Sequence, residues 1–402
     1  MNILFLSIST AVSDLNNRGI YPDLLRYMAK QGHEVFIVCP FERRTKKATT
    51  LREYDNVHIL GVKTLNITKS NFIEKGLATL LIEYQFERAI DKHLNIEKFD
   101  LILYATPPIT FNSLIGKLKK KYGGMTYLML KDIFPQNAID LGLLSSGGFL
   151  HKFFKKKEHQ LYEISDIIGC MSPANKSYLF KNNPSIRPEK VEICPNAISL
   201  VNRKVEIDKV TVFSKFKIPL DVPVLLYGGN LGVAQGVDFL LEVLQSNQNQ
   251  LDRFFLIVGN GNAFHKIENW FNINRPKNAL LISSLPRSEY DILESFCDVG
   301  MVFLDKRFTI PNYPSRILSY MECKLPLLIA SDEISDVGPI SIENNFGLWA
   351  KAGDLGTFNK LMQTLVVNVS YRESLGVNGF HFLQDNYTVE NTYKIISNHF
   401  KN

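Results

Sequence analysis

The sequence has few cysteines and no long apolar run. Its 402 residues include five cysteines and no Cys-x-x-Cys pair. This odd and scattered set excludes a disulfide framework, and it predicts reduced thiols that are mostly buried, as in a cytoplasmic protein. No run of about 18 uncharged apolar residues occurs, so no membrane-spanning helix is expected. The first residues lack the basic start and cleavage site of a secretory leader, so none is expected.

Motifs of several nucleotide and metal enzymes are also missing. The first apolar run is followed by Ser7–Thr10 instead of Gly-x-Gly-x-x-Gly, which argues against an N-terminal NAD domain. The absence of Gly-Lys-Ser/Thr, Gly-x-Ser-x-Gly and His-Glu-x-x-His excludes a P-loop nucleotidase, an α/β-hydrolase and a zincin. No Asp-x-Asp pair occurs, and the eight histidines lack metal-ligand spacing. We therefore expect no metal site and no cofactor.

The chain is long enough for two domains, and its charge is divided unequally between them. Apolar residues make up 45% and charged residues 21%, an ordinary globular balance. Residues 1–196 hold 27 of the 46 basic and 19 of the 40 acidic residues, which gives +8 there and −2 in the remainder. A membrane surface, a lipid diphosphate or a nucleic acid would fit the basic half, and so would a solvated lysine-rich surface. No nucleic-acid-binding motif accompanies the charge, so we expect no nucleic-acid partner.

Short apolar runs alternate with helical periods in both halves. Continuous apolar strands separated by helices indicate parallel sheets that are covered on both faces. The predicted fold class is therefore α/β, with two doubly wound Rossmann-like domains facing each other across a cleft. The predicted strands are Asn2–Ser7, Glu34–Cys39, Val57–Val62, Leu101–Ala105, Thr126–Lys131, Ile167–Met171 and Val191–Cys194, then Pro223–Gly228, Phe254–Gly259, Leu280–Ser283, Val299–Leu304, Leu327–Ala330 and Gly347–Ala350.

The domain boundaries follow from the same pattern. Residues 1–196 form an N-terminal Rossmann-like domain, and residues 197–221 form a linker of mixed polarity. Residues 222–385 form the second domain, and residues 386–402 form a C-terminal helix that can cross back to the first. Helices are expected at about 19–31 and 72–90 in the first domain. In the second they are expected at 235–247, 263–270, 287–296, 314–323, 355–367, 370–378 and 388–400.

Three segments of the second half have the composition of a phosphate site. Pro314-Ser315-Arg316 resembles a helix start whose free amides, together with the Arg316 guanidinium, could bind a diphosphate. The Gly-rich turn 227–236 follows a strand and contains Asn230 and Gln235, whose amides can donate hydrogen bonds. Gly259-Asn260-Gly261 follows the next strand. Each motif also fits an ordinary turn or surface helix.

Taken together, ordered motifs along nearly the whole chain resemble retaining GT-B glycosyltransferases of the family-4 type. The closest resemblance is to a fucosaminyltransferase-like subgroup that builds bacterial surface polysaccharides such as capsule and O-antigen. The motifs that carry the resemblance are Gly32-His33-Glu34-Val35, Tyr104-Ala105-Thr106-Pro107-Pro108, Asp132-Ile133-Phe134-Pro135-Gln136, Ser172-Pro173-Ala174-Asn175, Pro195-Asn196-Ala197-Ile198, the turn 227–236, and Pro314-Ser315-Arg316 with Tyr320-Met321.

Three departures from the family pattern involve five positions. Pro311 and Ser319 stand where most members carry a Glu pair. Asn230 and Gln235 stand where Arg and Lys are usual, and Lys324 replaces a glycine. The first two changes are shared by the subgroup, and they move the expected phosphate contacts to Arg316 and the helix amides.

The resemblance implies transfer of a hexosyl or N-acetylhexosaminyl group from a nucleotide sugar, with UDP as the expected nucleotide. Transfer would retain the anomeric configuration and need no metal. The acceptor would be a lipid-linked or oligosaccharide molecule. The implied catalytic residues are Arg316 and Asp132. The implied substrate-binding residues are Gly19, Gly229, Asn230, Gln235, Gly261, Leu285, Ser315, Ser319 and Lys131.

Two residues of the first domain have a competing structural interpretation. Asp132, expected to bind sugar or acceptor hydroxyls, could instead cap a helix. Lys131 could be a lysine at the surface end of a strand. Gly19 is expected close to the diphosphate, where a side chain would block domain closure.

The first domain also carries features of a membrane-facing surface. Lysine runs occupy 117–121 and 152–157, and residues 72–90 form a helix with an apolar stripe at Ile73, Leu77, Leu80, Leu81, Tyr84 and Phe86. These segments could approach an anionic leaflet and present a polyprenyl-diphosphate-linked acceptor, which would place the protein peripherally on the inner face of the plasma membrane. Core packing and solvated lysines are the alternatives. For the whole chain, a non-catalytic nucleotide-sugar-binding protein and a UDP-sugar 2-epimerase are the rival functions.

Overall fold

The computed structural model describes residues 1–67, 72–201 and 207–400, excluding the side chains of residues 72, 73, 75 and 76. The chain divides into two compact units. The first unit contains Met1–Ser199 together with Val389–Asn402, and the second contains Leu200–Thr388. The second boundary of the predicted linker, residue 221, lies inside the second unit.

The first unit is built on eight strands and the helices between them. Their bounds are β1 Asn2–Leu6, α1 Ile20–Lys30, β2 Glu34–Glu42, β3 Thr50–Tyr54, β4 Val57–Thr64, α2 Phe72–His93, β5 Leu101–Ala105, α3 Asn112–Tyr122, β6 Met125–Leu130, α4 Gln136–Asp140, α5 Phe149–Ile164, β7 Ile167–Cys170, α6 Pro173–Asn182 and β8 Val191–Ile193. The strand order is β3-β4-β2-β1-β5-β6-β7-β8. All neighbouring pairs are parallel except β3 with β4.

The second unit repeats the parallel architecture with six strands. Its elements are α7 Lys209–Phe216, β9 Val224–Gly228, α8 Val237–Asn247, β10 Phe254–Val258, α9 Phe264–Asn274, β11 Ala279–Ile282, α10 Arg287–Ser295, β12 Val299–Phe303, α11 Arg316–Glu322, β13 Leu327–Ser331, α12 Val337–Glu343, β14 Gly347–Lys351, α13 Leu355–Val367 and α14 Val369–Asn386. The order β11-β10-β9-β12-β13-β14 places β9 next to β12, and all pairs are parallel. The α/β fold class is confirmed.

A last helix, α15 at Val389–Ser397, belongs to the first unit although it follows the second in the chain. It packs on α1, where the rings of Tyr27 and Tyr393 lie 5.4 Å apart. The Tyr393 hydroxyl is 2.8 Å from Nε2 of His33, and the Val389 amide donates to the Ile198 carbonyl at 3.2 Å. The Gly32-His33-Glu34-Val35 segment therefore carries a contact to the C-terminal helix.

Several predicted bounds differ from the observed ones. Strand β3 and helix α12 were not predicted, and α14 extends to Asn386 where a helix ending at 378 was expected. Within the expected linker, α7 forms a regular helix capped by Asp208, whose carboxylate accepts from the Thr211 amide at 2.8 Å. The helix expected from 314 begins at Arg316.

Both sheets are buried between helices. Core strands such as β1, β5, β9 and β12 are apolar on both faces, which accounts for their continuous hydrophobic runs. Four cysteines are buried and Cys323 is half-buried, which confirms the prediction of free, mostly buried thiols. Within the described ranges, no helix is both long and apolar enough to cross a bilayer.

The packing of α14 against the end of α11 predicts an asymmetric response to alanine. A Cβ on Gly376 would lie 1.9 Å from the Lys324 carbonyl oxygen, whereas one on Gly356 would meet only an Asp354 side-chain oxygen at 3.7 Å. We expect Gly376→Ala to lower the free energy of unfolding by about 1–3 kcal/mol, because main chain must move. Gly356→Ala should be neutral or slightly stabilising.

Both tryptophans, Trp270 and Trp349, lie in the second unit. Tryptophan fluorescence during urea titration therefore reports the unfolding of the unit that contains Gly356 and Gly376. Equal unfolding midpoints for the two alanine variants would contradict this account of the α14 contact.

Candidate functional site

Two loops at the carboxyl edge of the second sheet pack main chain against main chain. The Gly229 amide donates to the Val258 carbonyl at 2.9 Å, and the Leu231 amide donates to the Asn260 carbonyl at 2.9 Å. A Cβ on Gly259 would lie 1.8 Å from the Gly229 carbonyl oxygen. The turn therefore requires glycine at position 259, and the two loops form one continuous surface after β9 and β10.

The Arg316 side chain lies against this surface. Its Nη2 donates to Oε1 of Gln235 at 2.6 Å and reaches the Asn230 carbonyl oxygen at 3.5 Å. Its Cζ lies 4.5 Å from the centre of the Tyr227 ring, within cation–π distance. Gly229 has φ +120°, and a Cβ there would lie 3.5 Å from the Arg316 Cζ.

One nitrogen of this guanidinium has no hydrogen-bond partner. Nη1 of Arg316 is buried and unpaired within the part of the chain that the structure describes. Leaving a buried charged donor unsatisfied is costly, and a phosphate oxygen is a strong acceptor for a guanidinium. The arrangement can therefore bind an anion beside Gly229.

Two tyrosines, Tyr320 and Tyr290, pack against the carboxyl end of β9 at Gly228. The Tyr320 hydroxyl accepts a hydrogen bond from the Gly228 amide at 2.8 Å, and the Tyr290 hydroxyl donates to Glu294 at 3.0 Å. A Cβ on Gly228 would lie 1.9 Å from the Tyr290 oxygen. The sequence analysis gave Tyr320 only as part of a motif and missed Tyr290, since neither spacing nor composition indicates a hydroxyl under a strand end.

The other substrate-binding residues predicted in the second unit are Gly261, Ser315, Ser319 and Leu285. A Cβ on Gly261 would lie 2.6 Å from Oδ1 of Asn230, so Gly261 lies in the same cluster as Asn230 and Gln235. Ser315 is exposed next to α11 and makes no capping bond, while the Ser319 hydroxyl donates to the Arg316 carbonyl at 3.1 Å. Leu285 is half-buried in the loop after β11.

Lys324, which replaces the glycine usual in the resembled family, has φ +57°. Its amide donates to the Met321 carbonyl at 3.0 Å, so it ends α11 in a left-handed conformation. This conformation explains why glycine suits the position.

In the first unit, Gly19 precedes α1 and is tied to a buried aspartate. The Gly19 amide donates to Oδ1 of Asp23 at 3.2 Å, and the Asp23 amide donates to the Gly19 carbonyl at 2.9 Å. Asp23 also pairs with Arg26 and accepts from the Ser199 amide at 3.0 Å. A Cβ on Gly19 would meet only Pro22 at 3.8 Å, so within this unit its φ of +150° is what favours glycine. The sequence analysis did not identify Asp23.

Lys131 and Asp132 follow β6 at the carboxyl edge of the first sheet. Both amides donate to Oγ1 of buried Thr106 at 3.0 Å, which fixes the turn. The Lys131 side chain is 9% exposed, its Nζ donates to the Cys194 carbonyl at 3.2 Å, and burial lowers its pKa. The alternative of a surface lysine at a strand end is therefore wrong.

Asp132 is half-buried, and its carboxylate loses hydration in the folded chain. Helix α4 begins at Gln136 with Pro135 at its cap position, so the alternative of Asp132 as a helix cap is also wrong. No hydrogen bond to its carboxylate oxygens is found among the described residues, and burial raises the pKa of Asp132 to about 6. Tyr21, at the start of α1, is close enough for Asp132 to add to the rise in its pKa after the larger effect of burial.

Among the described residues, no group of three or more His, Cys, Asp or Glu side chains could hold a metal ion. The second unit presents a guanidinium beside glycine-rich main chain, and the first unit presents a carboxylate whose pKa is raised by burial.

The pKa of Asp132 predicts a pH-dependent stability. Because its folded-state pKa lies above the ordinary value of 3.8, the ionised group destabilises the folded state above about pH 6, and this penalty disappears as pH falls toward 4. We expect Asp132→Asn to unfold at a higher temperature than the wild type at pH 7.5. Its free energy of unfolding should be higher by at most about 3 kcal/mol. The difference should shrink at pH 5.

Asp166→Asn is the matched control in the same unit. Burial raises the pKa of Asp166, but hydrogen bonds from Lys119 and Thr126 outweigh it, so the pKa is lowered overall. This variant should be less stable than the wild type at pH 7.5. Thermal unfolding that moved in the same direction for both variants would contradict the assignment.

Comparison with known proteins gives one family match. Residues 22–201 match the family model described as Glycosyltransferase Family 4, which covers less than half of the chain. A probable glycosyltransferase of Pseudomonas aeruginosa, WbjE, is 20% identical over 285 residues, which are 69% of this chain and 68% of that protein.

Solved structures match along the whole chain. Sucrose-phosphate synthase from Thermosynechococcus elongatus superimposes with a TM-score of 0.77 at 14% identity, covering 100% of this chain and 98% of that one. A structure from E. coli described as trehalose-6-phosphate bound with UDP-2-fluoro glucose gives 0.75 at 10% identity, with 100% and 99% coverage. Anabaena HepE in complex with UDP and glucose gives 0.71 at 11%, with 100% and 99% coverage. The fold is therefore that of GT-B glycosyltransferases, and the match to the Glycosyltransferase Family 4 model is confined to residues 22–201.

Proposed function

We propose that the protein is a retaining glycosyltransferase that uses a nucleotide sugar, with UDP as the nucleotide. The observation that carries the proposal is the buried, unpaired Nη1 of Arg316 beside the glycine turn at Gly229. Two similar structures, one from E. coli and one from Anabaena, were solved with UDP-2-fluoro glucose and with UDP and glucose, which favours UDP.

In this proposal the second unit binds the donor diphosphate. The unpaired Nη1 of Arg316 donates a hydrogen bond to a phosphate oxygen. Gln235 and the Tyr227 ring hold the guanidinium in place. Gly229 and Gly261 let the diphosphate approach main chain, since neither presents a side chain. Asn230, Ser315 and Ser319 offer further polar groups, and Leu285 offers an apolar contact to the nucleotide.

The reaction is a displacement at the anomeric carbon. The bond from that carbon to the diphosphate oxygen breaks, and a bond to the acceptor hydroxyl oxygen forms on the same face. The acceptor proton passes to the departing diphosphate, so no protein base is required. Arg316 stabilises the negative charge that develops on the leaving group, which is a preorganised electrostatic contribution.

We place the acceptor-side contacts in the first unit. The Asp132 carboxylate, which has no hydrogen-bond partner among the described residues, accepts in its ionised form from a sugar or acceptor hydroxyl. Gly19 stays a predicted contact to the diphosphate, and Lys131 acts by holding the strand ends at Cys194 rather than as a surface cation.

The acceptor proposed is a lipid-linked or oligosaccharide molecule of bacterial surface polysaccharide synthesis, with the protein in the cytoplasm at the inner face of the membrane. The match to WbjE, named a probable glycosyltransferase, supports the reaction class only. We propose that no metal takes part, so excess EDTA should leave turnover unchanged.

A non-catalytic sugar-nucleotide-binding protein is the second candidate. It is favoured by the departures at Pro311 and Ser319, where the resembled enzymes carry glutamates. Thermal-shift screening against UDP-, GDP- and dTDP-sugars identifies the nucleotide, because a bound donor stabilises the folded state. Binding without transfer to any acceptor would favour this candidate.

Substitution of Arg316 tests the proposed mechanism. We expect Arg316→Ala to reduce kcat by about 100-fold to 1,000-fold, because a charge-stabilising donor is lost at the leaving group. Arg316→Lys should recover part of the rate, since it restores the charge without the two-pronged geometry. Initial rates of sugar transfer from the identified donor measure both effects.

Lys266→Ala is the control, because Lys266 forms only a solvent-exposed ion pair with Asp238 at 2.8 Å in the same unit. Its rate should match that of the wild type. Unchanged turnover in folded Arg316→Ala would remove Arg316 from the mechanism, and NMR of the product showing an inverted anomeric centre would overturn retention.

A further inference from the structure

Helix α2 has apolar residues on two faces, and only one face is covered. Ala78, Ile82 and Phe86 are at most 1% exposed and lie in the core of the first unit. Leu80 and Tyr84 are 63% and 59% exposed, and Leu77 and Leu81 lie on the same stripe, with exposures of 51% and 42%. The predicted stripe is therefore exposed at these four positions, while Phe86 packs in the core and the Ile73 side chain lies outside the described residues.

The start of α5 exposes a second apolar group. Phe149 is 82% exposed and Leu150 46%, and Leu143 in the preceding loop is 69% exposed. Phe149 and the half-buried Phe153 are four residues apart, so they lie on the same side of α5. Contiguous exposed apolar surface is uncommon on a monomeric protein and commonly marks an interaction site.

These two groups lie toward the same edge of the sheet. Helix α2 leads into the start of β5 and α5 leads into the start of β7, so the amino-terminal halves of both helices are at the carboxyl edge. Both helices pack on the short turn Ile109–Phe111, where the Phe86 and Phe111 rings are 5.7 Å apart. The charge of Lys157 on α5 also reaches Glu83 on α2, which links the two surfaces.

The two lysine runs differ sharply in pairing. In the first run, Lys117 pairs with Glu87, Lys119 with Asp166 and Lys121 with Asp91, each at 2.7 Å. These pairs neutralise most of that run, so the expectation that it faces an anionic leaflet is not supported by the pairing.

The second run keeps its charge on the exposed side of α5. Lys152 and Lys156 are exposed, and their side chains have no ion pair or hydrogen bond with any described residue. They lie three and seven residues after Phe149, on the same side of the helix as Phe149 and Phe153. Lys157 lies over the Phe153 ring at 5.9 Å. Positive charge and apolar rings are therefore combined on one surface.

We infer that Leu77, Leu80, Leu81 and Tyr84 of α2, with Phe149, Leu150, Lys152 and Lys156 of α5, form a docking surface for an anionic lipid bilayer. A bilayer interface accepts leucine and aromatic side chains below the headgroups while anionic headgroups pair with lysine. An ordinary protein partner would have to supply acidic and apolar groups together. The inference rests on the proposed function only in that this surface would bring a lipid-linked acceptor to the acceptor-side edge.

Vesicle flotation of the full chain tests the surface. Vesicles of phosphatidylcholine with and without about 30% phosphatidylglycerol are the probes. We expect the protein to float with the anionic vesicles and to be released by high salt, because headgroup attraction is screened. Leu80→Asp, and separately the pair Lys152→Glu with Lys156→Glu, should each reduce the bound fraction on the order of tenfold. Circular dichroism verifies that both variants fold.

Ile273→Asp is the matched control, since Ile273 is 79% exposed on α9 of the second unit and lies outside the proposed surface. It should float like the wild type. Absence of flotation, equal flotation of all variants, or a dimer that Leu80→Asp dissociates without any lipid binding would overturn the inference. The donor thermal shift is measured on the wild type and on every variant. A wild-type chain that binds the donor but does not float rejects the surface alone, whereas a wild-type chain that floats but shows no donor shift rejects the donor site alone.

Discussion

The close approach of two peptide segments at Gly229 and Gly259 is the constraint on which the second unit's site depends. A side chain at position 259 would overlap the Gly229 carbonyl oxygen, so the loops after β9 and β10 can meet only as bare main chain. That contact places Asn230 and Gln235 where they hold the Arg316 guanidinium, and the Tyr227 ring covers its face. The cation is thereby positioned before any ligand is present, which keeps the cost of ordering it low when one binds.

The charged group at the first unit's site, the Asp132 carboxylate, lacks the supporting contacts that hold Arg316 among the described residues. No residue that the structure describes donates a hydrogen bond to the Asp132 carboxylate, and burial disfavours its ionised form. The Thr106 hydroxyl accepts from the adjoining main chain instead of donating to this carboxylate. A group that weakens the fold in this way is typical of a position kept for binding or chemistry. By contrast, Asp23 and Asp166 are fully engaged with neighbouring groups and serve the fold.

Most of the fold follows from sequence pattern, because buried parallel strands are apolar throughout and their bounds are marked by turns. Strand β3 was missed because the edge strand Thr50–Tyr54 contains the adjacent charged residues Arg52 and Glu53 and has no continuous apolar run. Helix α12 was missed because Gly338 and Pro339 weaken its pattern. At the site, local sequence motifs were sufficient to locate Gly229 and Gln235 in the turn 227–236 and Arg316 at the start of α11. The burial of Lys131 and the roles of Tyr290 and Asp23 depend on residues distant in sequence, which no local pattern encodes.

The membership of α15 in the first unit has a consequence for how the chain is made. Translation produces residues 200–388 between the two parts of that unit, so α1 has no cover over Tyr27 and His33 until the last helix leaves the ribosome. At ordinary elongation rates this interval lasts roughly 10–40 s. During that time the nascent first unit must persist with one helix missing, and a chaperone that binds nascent chains has its longest access to this incomplete face.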